Sequence, residues 1–258
     1  MLRFCVLGSG SSGNCMYFGS DNHHWLIDAG LSGKEINSRL QLIGLSLEKI
    51  EGVFVTHEHD DHANTLALLN KKYLIPLFAN SMTAEAITNS VNDRFIQWNI
   101  FTNGNRFKVG NVEIEPFSVP HDAMDPVGFA IYYGTSKIGV VTDIGSATTL
   151  VRQRLRNCNL IVLESNHDQE LLNDSKRPWS LKQRIAGRHG HFSNEQAAQL
   201  IAEIADARLK AVFLAHLSAE CNTPEKAHQT MSNVLNKLKL YDVSVELTYP
   251  DKISKVWI

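Results

Sequence analysis

The stretch Glu51-Gly-Val-Phe-Val-Thr-His57-Glu-His59-Asp-Asp61-His62 passes from a short apolar run into three histidines and three acids within six positions. The apolar run predicts a buried strand, because its β-favouring side chains follow one another without interruption. So many imidazoles and carboxylates close together repel one another and lose hydration, and both effects cost free energy unless a bound cation compensates them. The stretch therefore predicts a metal site that directly follows a buried strand.

The spacing of the four potential ligands indicates two metal ions rather than one. His57 and His59 lie two apart on extended backbone, so their imidazoles project to the same side. Asp61 and His62 follow on the next turn and can face a second ion. A catalytic metal keeps one coordination position open, so four protein ligands exceed what one such ion takes. A solvated histidine-rich loop is the alternative, and the strand–turn–helix context of the motif argues against it.

Composition and charge describe an ordinary globular protein. The 258 residues are 43% hydrophobic and 20% charged, with a formal net charge of −2. The chain contains no linker, repeat or low-complexity tract, so we predict a single domain over residues 1–258. The net charge argues against a protein that is basic all over, so any nucleic-acid binding requires a local basic patch.

Cysteine usage and hydropathy indicate a reduced, cytoplasmic protein. Four scattered cysteines with no Cys-x-x-Cys pair argue against a disulfide framework and against a thiolate zinc site. No apolar run approaches the length of a membrane helix, and the apolar N-terminal run is too short for a secretory signal. We expect a cytoplasmic protein without membrane contact, and its oligomeric state stays open.

Three further strand ends carry side chains that are typical metal ligands. His121 follows the β-rich run of residues 112–119, Asp143 follows a predicted hairpin strand, and His216 follows the apolar run of residues 211–214. Alone, His121 is typical of an ordinary loop histidine and Asp143 of a helix N-cap. Beside the first motif, all three are predicted ligands. Strand–helix alternation in both halves of the chain indicates two similar halves that pack sheet to sheet.

The run from Thr56 to His62, Thr-His-Glu-His-Asp-Asp-His, resembles the signature of the metallo-β-lactamase superfamily. This resemblance implies an α/β fold, a four-layer αββα sandwich of two mixed β-sheets with helices on the outer faces and metals at one rim. A finer resemblance, to the YycJ-like branch, covers nearly the whole chain and implies a 5′-to-3′ exonuclease that acts on DNA. It rests on segments that stand in the family's order, residues 8–15, 119–122, 126–128, 164–168, 190–191 and 214–218.

The site that the resemblance implies holds two divalent metal ions. In this fold the aspartate at position 143 bridges both ions, and Asp28 at an earlier strand end supports the site. Nitrogen and oxygen ligands without thiolates leave zinc and manganese both plausible. A water shared by two such ions becomes hydroxide near neutral pH, and Asp61 would both bind an ion and orient that hydroxide. The assigned ligands are His57, His59, His121 and Asp143 for one ion, and Asp61, His62, Asp143 and His216 for the other.

Two further residues discriminate among the bonds that such a hydroxide could attack, in a β-lactam, a thioester or a phosphodiester. In nucleases of the superfamily, ribonuclease Z among them, a glutamate at a strand end pairs with a histidine at a helix start. Glu164 and His191 resemble that pair in order and spacing, and it would donate a proton to the departing alkoxide. Alternatively, His191 only caps the helix that begins with a capping box at Ser193 and Gln196.

The stretch from Ser175 to His191 carries five Lys or Arg residues and no acid. One basic face of a surface helix is an alternative explanation. Trp179 within the stretch favours a contact with a nucleic-acid backbone, in which the indole stacks on a base. The predicted substrate-binding residues are Lys176, Arg177, Trp179, Lys182, Arg184 and Arg188.

We predict a dinuclear-metal phosphodiesterase that acts on nucleic acid, DNA rather than RNA, with Asp61, Glu164 and His191 as catalytic residues. The alternatives are a hydrolase of a small thioester, lactone or cyclic phosphodiester on the same ions, and a non-catalytic metal-containing regulator. The loop Gly8–Asn14 forms either an anion-binding nest or a tight strand-to-strand turn. Residues 95–98 are a predicted short strand.

Overall fold

The computed structural model describes residues 1–91 and 96–258. Contacts divide the chain into two compact units. A compact unit is not by itself an independently folding domain, so the single domain over residues 1–258 stays a prediction. The first unit comprises Met1–Pro116, Ala123–Val127 and Tyr249–Ile258, and the second comprises Phe117–Asp122 and Gly128–Thr248.

The first unit contains a mixed β-sheet. Within the described residues its strands stand in chain order, β1 (Leu2–Gly8), β2 (Cys15–Ser20), β3 (His23–Ile27), β4 (Val53–Phe54), β5 (Leu77–Ala79) and β6 (Trp98–Ile100). Short loops join the antiparallel strands β1, β2 and β3, whereas β3 to β6 pair in parallel and need crossover connections. These connections carry the helices α1 (Gly33–Leu42), α2 (Asp60–Ala63), α3 (Leu66–Tyr73) and α4 (Ser81–Ser90). A hairpin of β7 (Phe107–Val109) and β8 (Val112–Ser118) follows the sheet.

The core of the first unit joins its helices to its sheet. Helix α1 begins after Ser32, whose hydroxyl accepts a hydrogen bond from the N–H of Glu35 at 3.2 Å. Ile36 and Leu40 lie one turn apart on the same face of α1 and are fully buried in one core with Val53 of β4. Strand β4 is therefore an interior strand, as its apolar sequence predicts, and the chain leaves it directly into the metal motif.

The second unit contains a sheet whose strands stand in the order β13, β12, β11, β10, β9. Strands β10 to β13 pair in parallel, and β9 pairs with β10 in an antiparallel hairpin. The bounds are β9 (Val127–Tyr133), β10 (Ser136–Val141), β11 (Leu160–Glu164), β12 (Ala211–Ala215) and β13 (Ser244–Leu247). The helices are α5 (Thr149–Leu155), α6 (Gln169–Asp174), α7 (Trp179–Ile185), α8 (Asn194–Ile204) and α9 (Pro224–Lys237).

The register of the parallel strands brings three predicted site residues to one edge of this sheet. Leu163 in β11 is level with the residues of β10 and β12 that stand two positions before Asp143 and His216, respectively. Glu164 itself is the last residue of β11. Because the carboxyl ends of parallel strands meet at one edge, the three side chains emerge together.

Helix α8 confirms the predicted capping box. The hydroxyl of Ser193 accepts from the N–H of Gln196 at 3.2 Å, and the Gln196 side chain accepts from the N–H of Ser193 at 2.9 Å. The apolar stripe that starts at Ala197 and ends at Ile204 is buried in the core of the second unit. These contacts fix the start of α8 and with it the preceding loop, which carries His191.

The helical segment that follows the metal motif is divided into two helices, α2 and α3. The break occurs at Thr65, whose hydroxyl donates to the carbonyl of Leu31 at 2.7 Å and whose N–H donates to that of Ala29 at 2.9 Å. Of the predicted strand at residues 95–98, Phe95 lies outside the described residues, and β6 begins at Trp98. Among the residues that the structure describes, no helix has the length and apolar character that crossing a membrane requires.

We expect Ser193→Ala to lower the free energy of unfolding by about 1 kcal/mol, because the N–H of Gln196 loses its acceptor at the start of α8. Urea denaturation followed by circular dichroism measures the change. The control is Ser180→Ala, the same substitution at an exposed position inside α7, which we expect to change the value by less than about 0.5 kcal/mol. Equal effects of both substitutions would contradict the capping role.

Candidate metal centre

The first cluster of potential ligands follows β4 and comprises His57, His59, Asp61 and His62. His57 and His62 are buried, and their ring centroids lie 4.1 Å apart. Nε2 of His57 lies 3.1 Å from Nδ1 of His59, and Nε2 of His62 lies 3.5 Å from Oδ2 of Asp61. Nitrogen and oxygen atoms therefore approach one another within this unit, as ligands of a divalent cation do.

Asp28 holds the first cluster in orientation from the end of β3. Its Oδ2 accepts from Nδ1 of His62 at 2.7 Å and from the hydroxyl of Thr56 at 2.8 Å. Since that hydroxyl has given its hydrogen to Asp28, it accepts from Nδ1 of His57 at 2.9 Å. Both histidines thus carry their proton on Nδ1 and keep the lone pair of Nε2, the form in which imidazole binds a metal.

The environment of Asp28 is that of a supporting group rather than a solvent-exposed acid. Burial raises the pKa of its carboxyl, although the hydrogen bonds from His62 and Thr56 oppose this rise. Its backbone lies in the left-handed region with a φ of 60°, which is uncommon for a residue other than glycine. The supporting position that the family resemblance implies for Asp28 agrees with these contacts.

The second cluster lies at the ends of β10, β11 and β12 and includes Asp143, Glu164, His191 and His216. Ligand atoms of these four residues all lie within 4.8 Å of one another. Oδ1 of Asp143 is 3.2 Å from Nδ1 of His216, 3.7 Å from Nδ1 of His191 and 3.8 Å from Nε2 of His121. The structure thus brings together the predicted metal-ligand and catalytic residues of the second unit, which are His121, Asp143, Glu164, His191 and His216.

Glu164 is the centre of the second cluster and accepts four hydrogen bonds. Its Oε1 accepts from Nδ1 of His191 at 2.7 Å and from Nδ1 of His216 at 2.9 Å. Its Oε2 accepts from the backbone N–H of Ile144 at 2.9 Å and of Phe192 at 3.1 Å. Glu164 is fully buried, so every polar contact of the carboxylate is made within the protein.

Glu164 and His191 each stabilise the charged form of the other. Burial by itself would raise the pKa of Glu164, but the charge of His191 and the hydrogen bonds from both histidines outweigh it and lower this pKa. Burial would lower the pKa of His191, but the charge and hydrogen bond of Glu164 outweigh it and raise this pKa. The pair is therefore an ionised carboxylate beside an imidazole that retains a proton more readily than a free histidine does.

In His121 and His216, as in His57 and His62, Nδ1 donates a hydrogen bond within the protein and Nε2 keeps its lone pair. Nδ1 of His121 donates to the carbonyl of Gly190 at 3.1 Å, and burial lowers the pKa of this histidine. Nδ1 of His216 donates to Glu164, and the carbonyl of His216 accepts from the side chain of Asn166 at 2.8 Å. Both rings thus keep the lone pair of Nε2, so the donor set fits a divalent cation.

Sequence reasoning missed part of this arrangement. Glu164 was paired with His191 alone, and its equally short bond to His216 was not anticipated. The two residues are 52 positions apart, and only the adjacency of β11 and β12 brings them together. A strand that ends in glutamate beside a strand that ends in Ala-His was the available signal.

Two of the five cations of the basic stretch form ion pairs with acids of the same unit. Arg177 pairs with Glu220 at 3.0 Å and Arg184 with Asp122 at 2.6 Å. Both acids lie outside the stretch, so its linear composition overstates its positive field. Trp179, at the start of α7, leaves 68% of its surface exposed, as a stacking platform requires.

Comparison with known proteins identifies a family. Residues 23–216 match the family model of the β-lactamase superfamily domain. The exodeoxyribonuclease YycJ of Bacillus anthracis is 38% identical over 237 residues, which cover 92% of this chain and 90% of the relative. The exodeoxyribonuclease WalJ of Streptococcus pneumoniae is 36% identical over 262 residues and covers 96% of each chain.

Solved structures show the same fold. The metallo-β-lactamase fold protein YhfI from Bacillus subtilis superposes with a TM-score of 0.74 at 17% identity, over 99% of this chain and 98% of that one. The short form of human tRNase Z gives a TM-score of 0.62 at 18% identity, over 84% and 93% of the two chains. The predicted fold class, two mixed β-sheets with helices in the metallo-β-lactamase fold, is confirmed.

We expect Glu164→Gln to weaken Zn²⁺ binding about 10- to 100-fold, because an amide cannot accept equally from the N–H groups of His191 and His216. Competition with a chromogenic chelator measures the affinity of the chelator-treated protein for Zn²⁺. Glu195→Gln, on the exposed face of α8, is the matched control and should bind like the unsubstituted protein. Unchanged affinity of Glu164→Gln would show that Glu164 does not orient a metal ligand.

Proposed function

The chain belongs to the β-lactamase superfamily, and from this premise we propose that it is a dinuclear-metal phosphodiesterase, a 5′-to-3′ exonuclease that acts on DNA. That the chain is a metal-dependent hydrolase follows from its fold and from its named exodeoxyribonuclease relatives, 36–38% identical over more than nine-tenths of the chain. The single observation that carries the proposed reaction is the pairing of the buried Glu164 with the partly exposed His191, whose oxygen and nitrogen lie 2.7 Å apart.

The proposed ligands fit divalent ions by their chemistry. Nδ1 of His57, His62, His121 and His216 is engaged by a protein acceptor, which leaves the same ring atom, Nε2, as the ligand atom of each. When bound, a pair of divalent ions lowers the pKa of water and neutralises charge on a phosphate. We assign one ion to His57, His59, His121 and Asp143, and the other to Asp61, His62, Asp143 and His216, with zinc and manganese as the candidate metals.

His191 would supply the proton that the reaction needs. Hydrolysis of a phosphodiester adds water across the phosphorus–oxygen bond and releases an alkoxide, which is a poor leaving group unless it is protonated. His191 donates to Glu164 through Nδ1, keeps a raised pKa and leaves 24% of its side chain exposed. It therefore retains a proton more readily than a free histidine does and can present Nε2 to a substrate.

The role of Glu164 in this step is to hold the donor. Its two oxygens are fixed by the backbone of Ile144 and Phe192 on one side and by imidazoles on the other. His191 consequently cannot rotate without breaking a charge-assisted hydrogen bond. A histidine that only capped α8 would not need this buried carboxylate, because Ser193 already caps that helix.

Leaving-group chemistry separates this proposal from a hydrolase of thioesters. A thiolate departs from a thioester without a proton, because its conjugate acid has a pKa of about 8.5, far below that of an alcohol. A hydrolase for thioesters would therefore work without His191. A non-catalytic regulator would show no turnover on any of these substrates.

We expect His191→Ala to keep its bound metal and to lose about 10²- to 10⁴-fold in the rate of DNA hydrolysis. Release of nucleotides from 5′- and 3′-end-labelled single-stranded and duplex DNA, with Zn²⁺ or Mn²⁺, gives the rate and the polarity. Metal content is measured by mass spectrometry. A nitrophenyl phosphodiester, whose leaving group needs no proton, should be affected far less.

His189→Ala is the matched control, since His189 is exposed two positions away. It should hydrolyse DNA at the unsubstituted rate. Normal DNA cleavage by His191→Ala would refute the donor assignment, and no cleavage by the unsubstituted protein with any divalent metal would refute the nuclease proposal itself.

The proposed DNA contact predicts a dependence on salt. The proposed contacts are Lys176, Arg177, Trp179, Lys182, Arg184 and Arg188. We expect Lys176→Ala and Arg188→Ala each to lower the slope of log affinity against log salt by about 1, because each loses one phosphate contact. Trp179→Ala should weaken binding of single-stranded DNA by about 1–3 kcal/mol with little change in slope.

Binding is best measured in a His191→Ala background, which conserves the substrate during titration. Lys237→Ala, at the exposed end of α9, is the control cation in the same unit. If Lys176→Ala and Arg188→Ala leave the salt slope unchanged, α7 and the residues beside it do not contact the DNA.

A further inference from the structure

Three backbone N–H groups of the glycine- and serine-rich loop between β1 and β2 donate hydrogen bonds within the protein. The N–H of Ser9 donates to the carbonyl of Tyr249 at 3.0 Å, and that of Gly13 to the carbonyl of Gly10 at 2.9 Å. The N–H of Gly10 donates to the side chain of Asn14 at 3.0 Å. An anion-binding nest needs such groups to point at the ligand, so the contacts favour the tight turn over the nest.

The loop instead places the side chain of Asn14, which is fully buried. Its Oδ1 accepts from the hydroxyl of Ser9 and from the N–H of Gly10, both at 3.0 Å. These two donors define which end of the amide is the oxygen. The NH₂ group then faces the metal motif, 3.0 Å from Nε2 of His62 and 3.2 Å from Oδ2 of Asp61.

The backbone of Asn14 is tied to the same motif. Its N–H donates to the carbonyl of Asp61 at 2.7 Å, and its carbonyl accepts from the N–H of Gly30 at 2.9 Å. A Cβ atom on Gly30 would lie 1.7 Å from the carbonyl oxygen of Asp61, so only glycine permits this approach. Asn14 is therefore held in place from both sides and cannot withdraw from Asp61 without a backbone shift.

The NH₂ group of Asn14 has four acceptors within hydrogen-bond distance. Two are the backbone carbonyls of Gly10 and Asp61, at 3.2 and 3.4 Å, and two belong to proposed ligand side chains, Oδ2 of Asp61 and Nε2 of His62. Asp28 engages Nδ1 of His62, so Nε2 is the ring atom that a metal would use, and a lone pair given to a metal no longer accepts a hydrogen bond. Of the two side chains, Asp61 is then the acceptor that remains for Asn14, and its other carboxylate oxygen would be left to bind an ion.

We propose that Asn14 is a positioning residue, which fixes the carboxylate of Asp61 in the orientation that binds the metal. This inference rests on the proposed function in one respect, the assignment of Asp61 and His62 as ligands. Partners that orient a metal ligand through hydrogen bonds contribute about 10- to 100-fold to metal affinity. The loop from Gly8 to Gly13 serves this purpose by presenting the amide with its NH₂ group toward Asp61.

We expect Asn14→Ala to weaken Zn²⁺ binding about 10- to 100-fold in a chelator competition that uses Zn²⁺ alone as the probe. Asn14→Ser should do the same, since its hydroxyl can still accept from Gly10 but is too short to reach Asp61. Ser12→Ala, at an exposed position of the same loop, is the matched control. It should change Zn²⁺ affinity less than about threefold, within the range of surface substitutions.

A double-mutant cycle separates positioning from a merely structural role. In an Asp61→Ala background, Asn14→Ala should have less than about a threefold further effect on Zn²⁺ affinity, because the group it positions is gone. Thermal denaturation of the metal-free proteins gives the purely structural effect of each variant. If Asn14→Ala and Asn14→Ser bind Zn²⁺ as tightly as Ser12→Ala, or if the cycle shows independent effects, the inference is wrong. If the unsubstituted protein binds no Zn²⁺ or Mn²⁺, the proposed metal centre fails instead.

Discussion

A neutral imidazole binds a metal only when one ring nitrogen holds the proton and the other offers its lone pair, and both ligand clusters are arranged around this constraint. Asp28 takes the Nδ1 proton of His62, and Glu164 takes that of His216. Either carboxylate would cost several kcal/mol to bury without partners. Three hydrogen bonds to Asp28 and four to Glu164 offset that cost. The imidazoles and the carboxylates therefore depend on each other, so that removing one member leaves a buried charge without compensation.

The sheets make this arrangement possible by ending several strands at one edge. In the second unit, parallel pairing of β10, β11 and β12 places Asp143, Glu164 and His216 side by side. The chain must turn sharply there, and His216 has a φ of 54°; Asp28 at the end of β3 has a φ of 60°. Such backbone conformations cost of order 1–3 kcal/mol and persist only where surrounding contacts impose them. Here the bonds to the carboxylates and from Asn166 to the carbonyl of His216 impose them.

Features encoded in neighbouring residues could be predicted, and features that arise from strand adjacency could not. The metal motif and the capping box of α8 each lie within six residues, so their chemistry is legible in the linear sequence. The bond from Glu164 to His216 and the approach of Asn14 to Asp61 span 52 and 47 positions. They follow from which strands pair and how closely two loops pass, and neither is a property of a local pattern. The ion pairs of the basic stretch with Asp122 and Glu220 could not be predicted for the same reason, because both acids are distant in the sequence.

The sharing of Glu164 between two histidines bears on the proton donor itself. A carboxylate that served His191 alone would raise the pKa of that histidine most strongly, and a donor that holds its proton too tightly releases it slowly. His216 donates to the same oxygen, Oε1, so this oxygen attracts the Nδ1 proton of His191 less strongly than it would alone. The carboxylate of Glu164 thus accepts hydrogen bonds from both a proposed metal ligand, His216, and the proposed proton donor, His191. Both imidazoles thus compete for one buried oxygen atom, Oε1 of Glu164. A change in the contact of His216 with this oxygen would therefore change the hydrogen bond that holds the proposed proton donor.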